Sequence, residues 1–477
     1  MQPTHDHQPK SGLQHSLKQR HMTMIALGGV IGAGLFVGSS VVIQSAGPAA
    51  IFSFLITGVL VILVMRMLGE LAVAMPAVGS FYEYARLAWG DRVELGELAG
   101  FLTGWMYWYF WVIVVALEAV AGAKLIQFWL PDVPSWTITL VILVSLTLTN
   151  MISVRSYGEF EFWFASIKVA AITVFLFLGT LYVLGMWPGA SFDLGNLTAH
   201  GGFAPNGIAP ILTGAVAATG FYFGAEIVTI AAAESAEPER AVARATNSVV
   251  TRVLLFYVGS IFLVVAIIPW NSASIATPYV SALATMGIPA AAQIMNVVIL
   301  TAVLSALNCG LYASSRMLFA LTKRGDAPRG LDKLNRRGVP VRAILVGTAF
   351  GYVSVIMSYV SPDTVFAFLV NSYGTVAIFV YILIAVSQLR LRARLEQEAP
   401  ERLTVRMWAY PYLTYLAIAG MIAIVVAMAF IPEQRTPLIL GIASLGLLVL
   451  AYGVRVHWGR RPMIPAVAAE AHHYGEL

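Results

Sequence analysis

The sequence predicts an all-α membrane protein with twelve transmembrane helices, and three observations lead to this fold class. Of the 477 residues, 59% are hydrophobic and only 11% are charged, a composition that cannot cover the outside of water-soluble domains. Apolar runs long enough to cross a bilayer recur along the chain. The positively charged residues are confined almost entirely to one side of these runs. The bilayer is therefore the expected solvent.

The twelve predicted spans are apolar runs of roughly 22 residues, slightly more than a bilayer requires. A sliding window of about 19 residues places their centres by mean hydropathy. The centres lie near positions 35, 60, 114, 144, 174, 219, 258, 299, 350, 376, 420 and 446. The first run is too long and too rich in glycine for a cleaved secretory signal, so we expect it to remain as the first span.

Positive charge predicts the orientation of these spans. On the side of the N-terminus lie 26 of the 29 Lys and Arg residues, and the exceptions are Lys124, Lys168 and Arg435. Because Lys and Arg stay on the cytoplasmic side, and an even number of spans returns the chain to its starting side, both termini are expected in the cytoplasm. This distribution accounts for the net charge of +5 without a nucleic-acid partner.

Three ionisable residues fall within the apolar spans, namely Glu118, Lys168 and Glu226. Such a side chain in mid-membrane costs roughly 2.5 to 3.5 kcal/mol on insertion scales, so it normally marks a pathway, a proton relay or an ion pair. The alternative for each is a structural role, as a buried ion pair or as a carboxyl group that stabilises a broken helix. Because buried lysine and glutamate side chains can exchange protons near neutral pH, we predict that these three take part in proton coupling.

Glycine clusters in the first and sixth spans favour broken helices. The first span has five glycines from Gly28 to Gly38, and the sixth has Gly220 and Gly224 before Glu226. Each glycine costs about 1 kcal/mol relative to alanine within a helix. Close helix packing through GxxxG pairs would explain the first cluster alone. Interruptions at corresponding positions of two halves are instead typical of a transporter site.

The two glycine-rich spans lie five apart, which predicts an inverted repeat of five helices plus five, followed by two further helices. Ends of broken helices present N–H groups that bind an anion, and unwound carbonyl groups suit an ammonium. The expected ligand is therefore a small zwitterion. The predicted segments are a cytoplasmic tail at 1–20, a transporter domain at 21–457 with repeats at about 21–187 and 206–390 and helices eleven and twelve at about 409–457, and a cytoplasmic tail at 458–477.

Other chemistries find little support in the sequence. The single cysteine, Cys309, excludes an internal disulfide and lacks the neighbouring Cys or His residues of a zinc site. No GxxxxGK, HExxH or GxSxG motif indicates an enzyme, and no repeated filter sequence indicates a channel. We expect no enzymatic activity, cofactor or metal. A channel or a membrane enzyme is the least favoured alternative.

Several segments carry a family resemblance, and they are Gly32–Phe36, Leu68–Ala72, Tyr157–Phe164, Pro269–Asn271 and Gly325–Pro328. With these segments, the chain resembles the amino acid permeases of the amino acid–polyamine–organocation superfamily over its whole length. The sixth-span segment Gly224–Ser235 is similar to that of bacterial permeases for 4-aminobutyrate (GABA). The resemblance implies a LeuT-type repeat with spans one and six broken, in the bacterial cytoplasmic (inner) membrane. It also implies import of GABA together with a proton by alternating access.

The resemblance further implies roles for individual residues. Backbone N–H groups in the first break are expected to hold the substrate carboxylate, and the broken segment of span six is expected to close over the substrate with an aromatic gate. Lys168 matches a lysine that replaces the sodium ion in proton-coupled relatives. Because the ammonium of GABA lies three methylene groups from the carboxylate, our own hypothesis is that Glu118 on span three helps to bind it. The predicted substrate-binding residues are Ile31, Gly32, Ala33, Gly34, Glu118, Phe221, Tyr222, Phe223 and Gly224, and the predicted proton-coupling residues are Lys168, Glu226 and Glu118.

The identity of the substrate leaves one alternative open within the same class of transporter. A proton-coupled permease for another small amino acid, such as proline, alanine, glycine or an aromatic one, would have the same general pattern. The expected partners are in either case a zwitterionic amino acid, a proton and the lipid bilayer.

Overall fold

The computed structural model describes residues 17–457, apart from 29–30, 33, 78, 91, 235–239, 241, 245, 247, 249, 251–252 and 361. These described residues form helices joined by turns and contain no β-strand. The predicted all-α class is therefore confirmed. The predicted tail at 458–477 and residues 1–16 of the predicted tail at 1–20 lie outside the described residues.

The described helices have the following bounds. The α-helices are α1 (Gln19–Gly28), α2 (Ser39–Ala46), α3 (Ala50–Ala74), α4 (Phe81–Leu87), α5 (Val93–Ile126), α6 (Ser135–Ile152), α7 (Val154–Val183), α8 (Ala209–Thr219), α9 (Ile227–Ala231), α10 (Ser260–Ile267), α11 (Pro278–Thr285), α12 (Ala291–Lys323), α13 (Val341–Val360), α14 (Pro362–Glu398), α15 (Tyr412–Phe430) and α16 (Pro432–His457). π-Helices lie at Gly34–Gly38 and Val253–Gly259, and short 3-10 helices lie at Gly47–Ala49, Gly195–Leu197, Gly220–Tyr222, Ala232–Glu234, Ala273–Ala276 and Pro400–Arg402.

Nine helical segments of the described chain are long and apolar enough to cross a membrane. They are Gly34–Ala74, Val93–Ile126, Ser135–Ile152, Val154–Val183, Ala209–Ala231, Ala291–Lys323, Gly374–Glu398, Tyr412–Phe430 and Pro432–His457. Two shorter apolar helices lie at Val253–Ile267 and Val341–Met357. The first of the nine segments contains the centres predicted for spans one and two. The predicted count of twelve spans stays a prediction.

Local sequence signals account for several of the helix ends. Ser153 caps α7, because its hydroxyl group accepts a 3.0 Å hydrogen bond from the N–H of Ser156. Prolines within the first two positions of α8 and α11 occupy sites where a helix loses no hydrogen bond. Gly325 follows α12 with a φ of +77°, a left-handed conformation that glycine adopts without a steric penalty.

The helix α5 lies at the centre of the packing, where it contacts α4, α6, α12, α13 and α14. α1 packs on α7, and α3 packs on α8. α15 and α16 pack on α14 and on each other, and they expose large apolar residues such as Tyr412 and Phe430. This central position of α5 brings its side chains against residues from both halves of the chain.

Leu17, which the sequence prediction assigned to the N-terminal tail, is buried. Its backbone N–H donates a 3.2 Å hydrogen bond to the carbonyl oxygen of Glu234. Arg20 forms an ion pair with Glu159 on α7. The last residues of the predicted tail therefore pack against the helices.

Candidate functional site

The first candidate segment follows α1, which ends at Gly28. Ile31 and Gly32 are not helical, and the chain continues as the π-helix Gly34–Gly38 before α2 begins. Ile31 is buried, whereas the described surroundings leave open space within 4 Å of where a Cβ atom on Gly32 would lie. Ala33, also predicted to bind substrate, lies outside the described residues.

The second candidate segment separates α8 from α9. α8 ends at Thr219, a 3-10 helix covers Gly220–Tyr222, and α9 begins only at Ile227. Phe223 has an extended backbone, and Gly224 has a φ of +113°. Because L-amino acids with a side chain rarely adopt that φ, the turn depends on glycine at this position.

Phe221 joins the two segments. A Cβ atom added to Gly34 would lie 2.5 Å from Cδ1 of Phe221, and one added to Gly38 would lie 2.6 Å from its Cζ. The aromatic ring therefore lies directly against the backbone of the π-helix, at a distance that only glycine permits. This contact places one of the predicted gate residues beside the predicted carboxylate site.

Tyr222 points to a different neighbour. Its hydroxyl group donates a 2.8 Å hydrogen bond to the carbonyl oxygen of Phe54 on α3, and its ring stacks on Tyr257 at 4.2 Å. Tyr257 in turn donates a 2.8 Å hydrogen bond to the carbonyl oxygen of Phe221. These bonds fasten the second segment to its surroundings, and the predicted contact of Tyr222 with substrate stays a prediction.

Glu226 is fully buried and receives three hydrogen bonds. Tyr107 of α5 donates to Oε1 at 3.2 Å, and Tyr381 of α14 donates to Oε2 at 2.9 Å. The N–H group of Gly224 donates to Oε2 at 3.1 Å. The carboxyl group thus connects the second segment to two other helices, and neither tyrosine was predicted from the sequence as a site residue.

Aromatic rings fill the space beside Glu226. The ring of Phe223 lies 4.5 Å from that of Tyr381 and 5.4 Å from that of Phe110. The remaining cavity has a volume of about 10 Å³, which is about enough for one water molecule. The structure is therefore in a conformation that is closed beside Glu226, because no amino acid fits into this space.

Lys168 belongs to a separate buried polar cluster. Its Nζ atom donates a 2.8 Å hydrogen bond to Oγ of Ser305 on α12, and Ser305 donates a 2.6 Å hydrogen bond to Oε1 of Glu161. The Nδ2 group of Asn308 lies 3.5 Å from Oε2 of Glu161. Glu161 was missed among the buried ionisable residues, although its i, i+7 spacing from Lys168 places both on one face of α7.

Glu118 lies on α5, where it is close enough to Lys168 to interact with it electrostatically. Its Oε2 atom is buried and has no hydrogen-bond partner among the described residues. A buried carboxylate oxygen without a donor costs free energy, and a bound cation would offset that cost. Of the three ionisable residues predicted from the sequence, Glu118 is thus the one that can accept a further cation.

Two other buried ion pairs were not identified from the sequence, and their contacts are structural. Glu70 accepts a 2.5 Å hydrogen bond from Arg392 and a 2.7 Å bond from Gln388. Glu234 accepts a 2.7 Å hydrogen bond from Arg316. Each pair joins helices that are distant in sequence, and in each the carboxylate is fully buried.

Comparison with known proteins places this chain in a family. Residues 21–463 match the family model described as amino acid permease. The chain belongs to the amino acid permease family. It is an integral membrane protein that transports amino acids, and it is not an enzyme. The family resemblance of the sequence motifs is therefore confirmed.

Individual relatives of the permease cover nearly its whole length. The gamma-aminobutyric acid permease of Bacillus subtilis is 52% identical over 447 residues, which are 93% of this chain and 94% of the relative. The gamma-aminobutyric acid permease of Escherichia coli is 47% identical, over 91% of each chain. An aromatic amino acid transport protein of Corynebacterium glutamicum is 41% identical, over 88% of this chain and 90% of its own.

Proposed function

We propose that this permease imports GABA together with a proton, by alternating access across the bacterial cytoplasmic membrane. The observation that carries the proposal is the contact of Phe221 with Gly34 and Gly38, which joins the 3-10 helix between α8 and α9 to the π-helix before α2, near the buried carboxyl group of Glu226. Relatives named as gamma-aminobutyric acid permeases, at 47% and 52% identity, support GABA as the substrate.

The proposed site binds the two ends of the substrate at different places. Backbone N–H groups of the segment 31–34 hold the carboxylate, as helix ends do for anions. The described residues leave the space beside Gly32 open, and the substrate enters this segment there. In GABA the ammonium lies three methylene groups from the carboxylate, so it reaches further than an α-ammonium. Its proposed acceptor is the Oε2 atom of Glu118, which has no hydrogen-bond partner among the residues that the structure describes.

The proposed gate consists of the second segment and its neighbours. Phe221 covers the first segment, and Phe223 packs against Tyr381. Opening this side requires Glu226 to release the hydroxyl groups of Tyr107 and Tyr381. The contacts that the substrate makes with the first segment and with Glu118 offset that loss when it binds. Binding and opening are coupled in this way.

The proposed architecture is a repeat of five spans plus five, with two further helices and both termini in the cytoplasm. The nine long apolar segments, the two centres within Gly34–Ala74 and the two short apolar helices support this arrangement. Spans one and six then meet at the repeat interface near the middle of the bilayer. Their contact through Phe221 agrees with such a position.

Lys168 is the proposed carrier of the coupled proton. It is buried and hydrogen-bonded to Ser305, and an amine at this place can bind or release one proton in each transport cycle. In this proposal Glu118 and Glu226 do not carry the coupled proton themselves. They contribute to coupling through the effect of their charges on Lys168 and on the gate. The driving force for import is then the proton gradient.

Purified permease in proteoliposomes tests this proposal. We expect an inward proton gradient to drive accumulation of radiolabelled GABA in the absence of sodium. Accumulation that requires sodium and ignores the proton gradient would contradict the coupling. A competition series with proline, alanine, glycine and phenylalanine tests the substrate, because a GABA permease should prefer GABA over each of them. A stronger preference for any of these amino acids would favour the alternative function.

A further inference from the structure

The polar cluster around Lys168 contains a second ionisable group, Glu161, which has no role in the proposed transport cycle described above. Glu161 is fully buried on α7, two helical turns before Lys168. A carboxyl group in such a position is costly, and in transporters such groups commonly belong to proton relays. The contacts of Glu161 determine whether a proton can reach it.

The hydroxyl group of Ser305 connects the two residues. It accepts a 2.8 Å hydrogen bond from Nζ of Lys168 and donates a 2.6 Å hydrogen bond to Oε1 of Glu161. A serine hydroxyl group can do both at once, because it has one donor and two acceptor positions. The bonds are aligned in one direction, from the ammonium to the carboxylate.

Neighbouring amides hold this arrangement in place. Asn308 lies 3.5 Å from Oε2 of Glu161, and its own Oδ1 accepts a 2.8 Å hydrogen bond from Asn150 of α6. The second carboxylate oxygen is therefore supported from α12, and α12 is supported from α6. Both asparagines are buried, and Glu161 is thus held by two partners from α12, one of which is itself held from α6.

We propose that Glu161 accepts the coupled proton from Lys168 through Ser305. The ammonium of Lys168 gives one proton to Oγ of Ser305, while the hydroxyl proton of Ser305 passes to Oε1 of Glu161. Lys168 becomes a neutral amine, Glu161 becomes a carboxylic acid, and Ser305 is unchanged in composition. This inference rests on the proposed proton coupling of the permease and adds the residue that takes the proton next.

The position of Glu161 gives the step a direction. Its Cα atom lies seven positions before that of Lys168, a rise of about 10 Å along α7, while the charged groups themselves are bridged by the single hydroxyl group of Ser305. In the proposed topology, α7 starts at the cytoplasmic side, where Glu159 forms an ion pair with Arg20. A proton on Glu161 is thus closer to the cytoplasm than one on Lys168, and it leaves to water when that side opens.

The test separates exchange of substrate from net transport with a proton. Proteoliposomes are assayed for GABA counterflow without a gradient, for GABA accumulation under a proton gradient, and for acidification of the lumen on GABA addition. In Glu161→Gln, the amide retains the size and the acceptor oxygen of the side chain but does not take up the proton. We expect counterflow at the wild-type rate, whereas gradient-driven accumulation and acidification fall about 100-fold, as expected for loss of a positioned proton acceptor.

A second variant and matched controls test whether Ser305 and Glu161 form the proton relay. Ser305→Ala removes the connecting hydroxyl group and should show the same separation of the two activities. Ser314→Ala is its control, because this buried hydroxyl lies on the same helix and, within the described part of the chain, bonds only to the carbonyl oxygen of Leu311. Glu159→Gln is the control for Glu161→Gln, since Glu159 lies outside the cluster. Both controls should retain counterflow and accumulation.

Each outcome decides the inference. Wild-type acidification in Glu161→Gln would overturn it, and so would an equal loss of counterflow and accumulation, which indicates a structural role. If Glu161→Gln does not purify as a folded protein, the same comparison in Ser305→Ala decides. If the wild-type permease itself shows no proton-dependent uptake, the proposed coupling fails, and this result is distinguishable from failure of the relay alone.

Discussion

The substitution Gly34→Ala tests the contact on which the proposed site depends. The added Cβ atom would lie 2.5 Å from Cδ1, 3.0 Å from Cγ and 3.2 Å from Cβ of Phe221. Carbon atoms in favourable contact are about 3.5 to 4.0 Å apart, so the ring has to move by about 1 Å. Because the Cβ atom of Phe221 is itself close, rotation of the ring alone cannot relieve the overlap.

The expected loss of GABA uptake follows from the free-energy cost of overpacking. An extra methyl group in a well-packed interior typically costs about 1 to 3 kcal/mol. This corresponds to a loss of about 5- to 150-fold in the population of the arrangement in which Phe221 covers the π-helix. We therefore expect GABA uptake by Gly34→Ala to fall about fivefold or more, at an amount of protein in the membrane close to that of the wild type.

A double-mutant cycle shows whether the loss comes from this contact. Phe221→Ala removes the Cγ and Cδ1 atoms that Gly34→Ala would meet, so the second substitution should cost at least about 1 kcal/mol less in that background. The control is Gly446→Ala, where an added Cβ atom meets no described atom within 4 Å. An equal cost of Gly34→Ala in both backgrounds, or wild-type uptake by the single variant, would refute the reasoning.

Three further predictions concern the buried carboxyl groups. Glu118→Gln should raise the GABA concentration for half-maximal uptake about tenfold, since it removes a charged acceptor, and an unchanged value would place the ammonium elsewhere. Tyr381→Phe removes the 2.9 Å hydrogen bond to Glu226 and should lower the thermal stability of the substrate-free permease; an unchanged Tm would contradict this role. Glu70→Ala leaves buried Arg392 without this partner, so it should lower the Tm while Glu70→Ala/Arg392→Met recovers part of the loss.

The sequence was sufficient to predict the helical fold class and the family. Apolar runs and low charge content are local features of the sequence, and they predict the helical fold class. The residues of Gly224–Ser235 are specific enough to indicate the family. The first and last residues of the helices were less predictable. α14 extends over Pro362–Glu398, well beyond an apolar span, because its last turns carry charged residues such as Arg394 and Glu398 that form i, i+4 ion pairs in water.

The contacts of the candidate site could be predicted only in part. The glycine clusters and Glu226 indicated the position of the candidate site along the chain, because each is costly in a membrane helix. Tyr107 and Tyr381 were not identified, since a tyrosine in an apolar helix has no local signal that distinguishes a ligand of Glu226 from a packing residue. Glu161 had a signal in its spacing from Lys168, but the intervening Ser305 lies on α12 and only the tertiary structure brings it there.

Protection of a cysteine at Gly32 tests most directly whether GABA lies at the proposed segment. The native Cys309 is fully buried, so a polar thiol reagent should react only with the introduced residue of a transport-competent Gly32→Cys variant. At a GABA concentration about 100 times the Kd, labelling should slow about 100-fold, whereas labelling of Ser191→Cys in an exposed loop should not change. Equal labelling rates with and without GABA, in a variant that still transports it, would contradict the account.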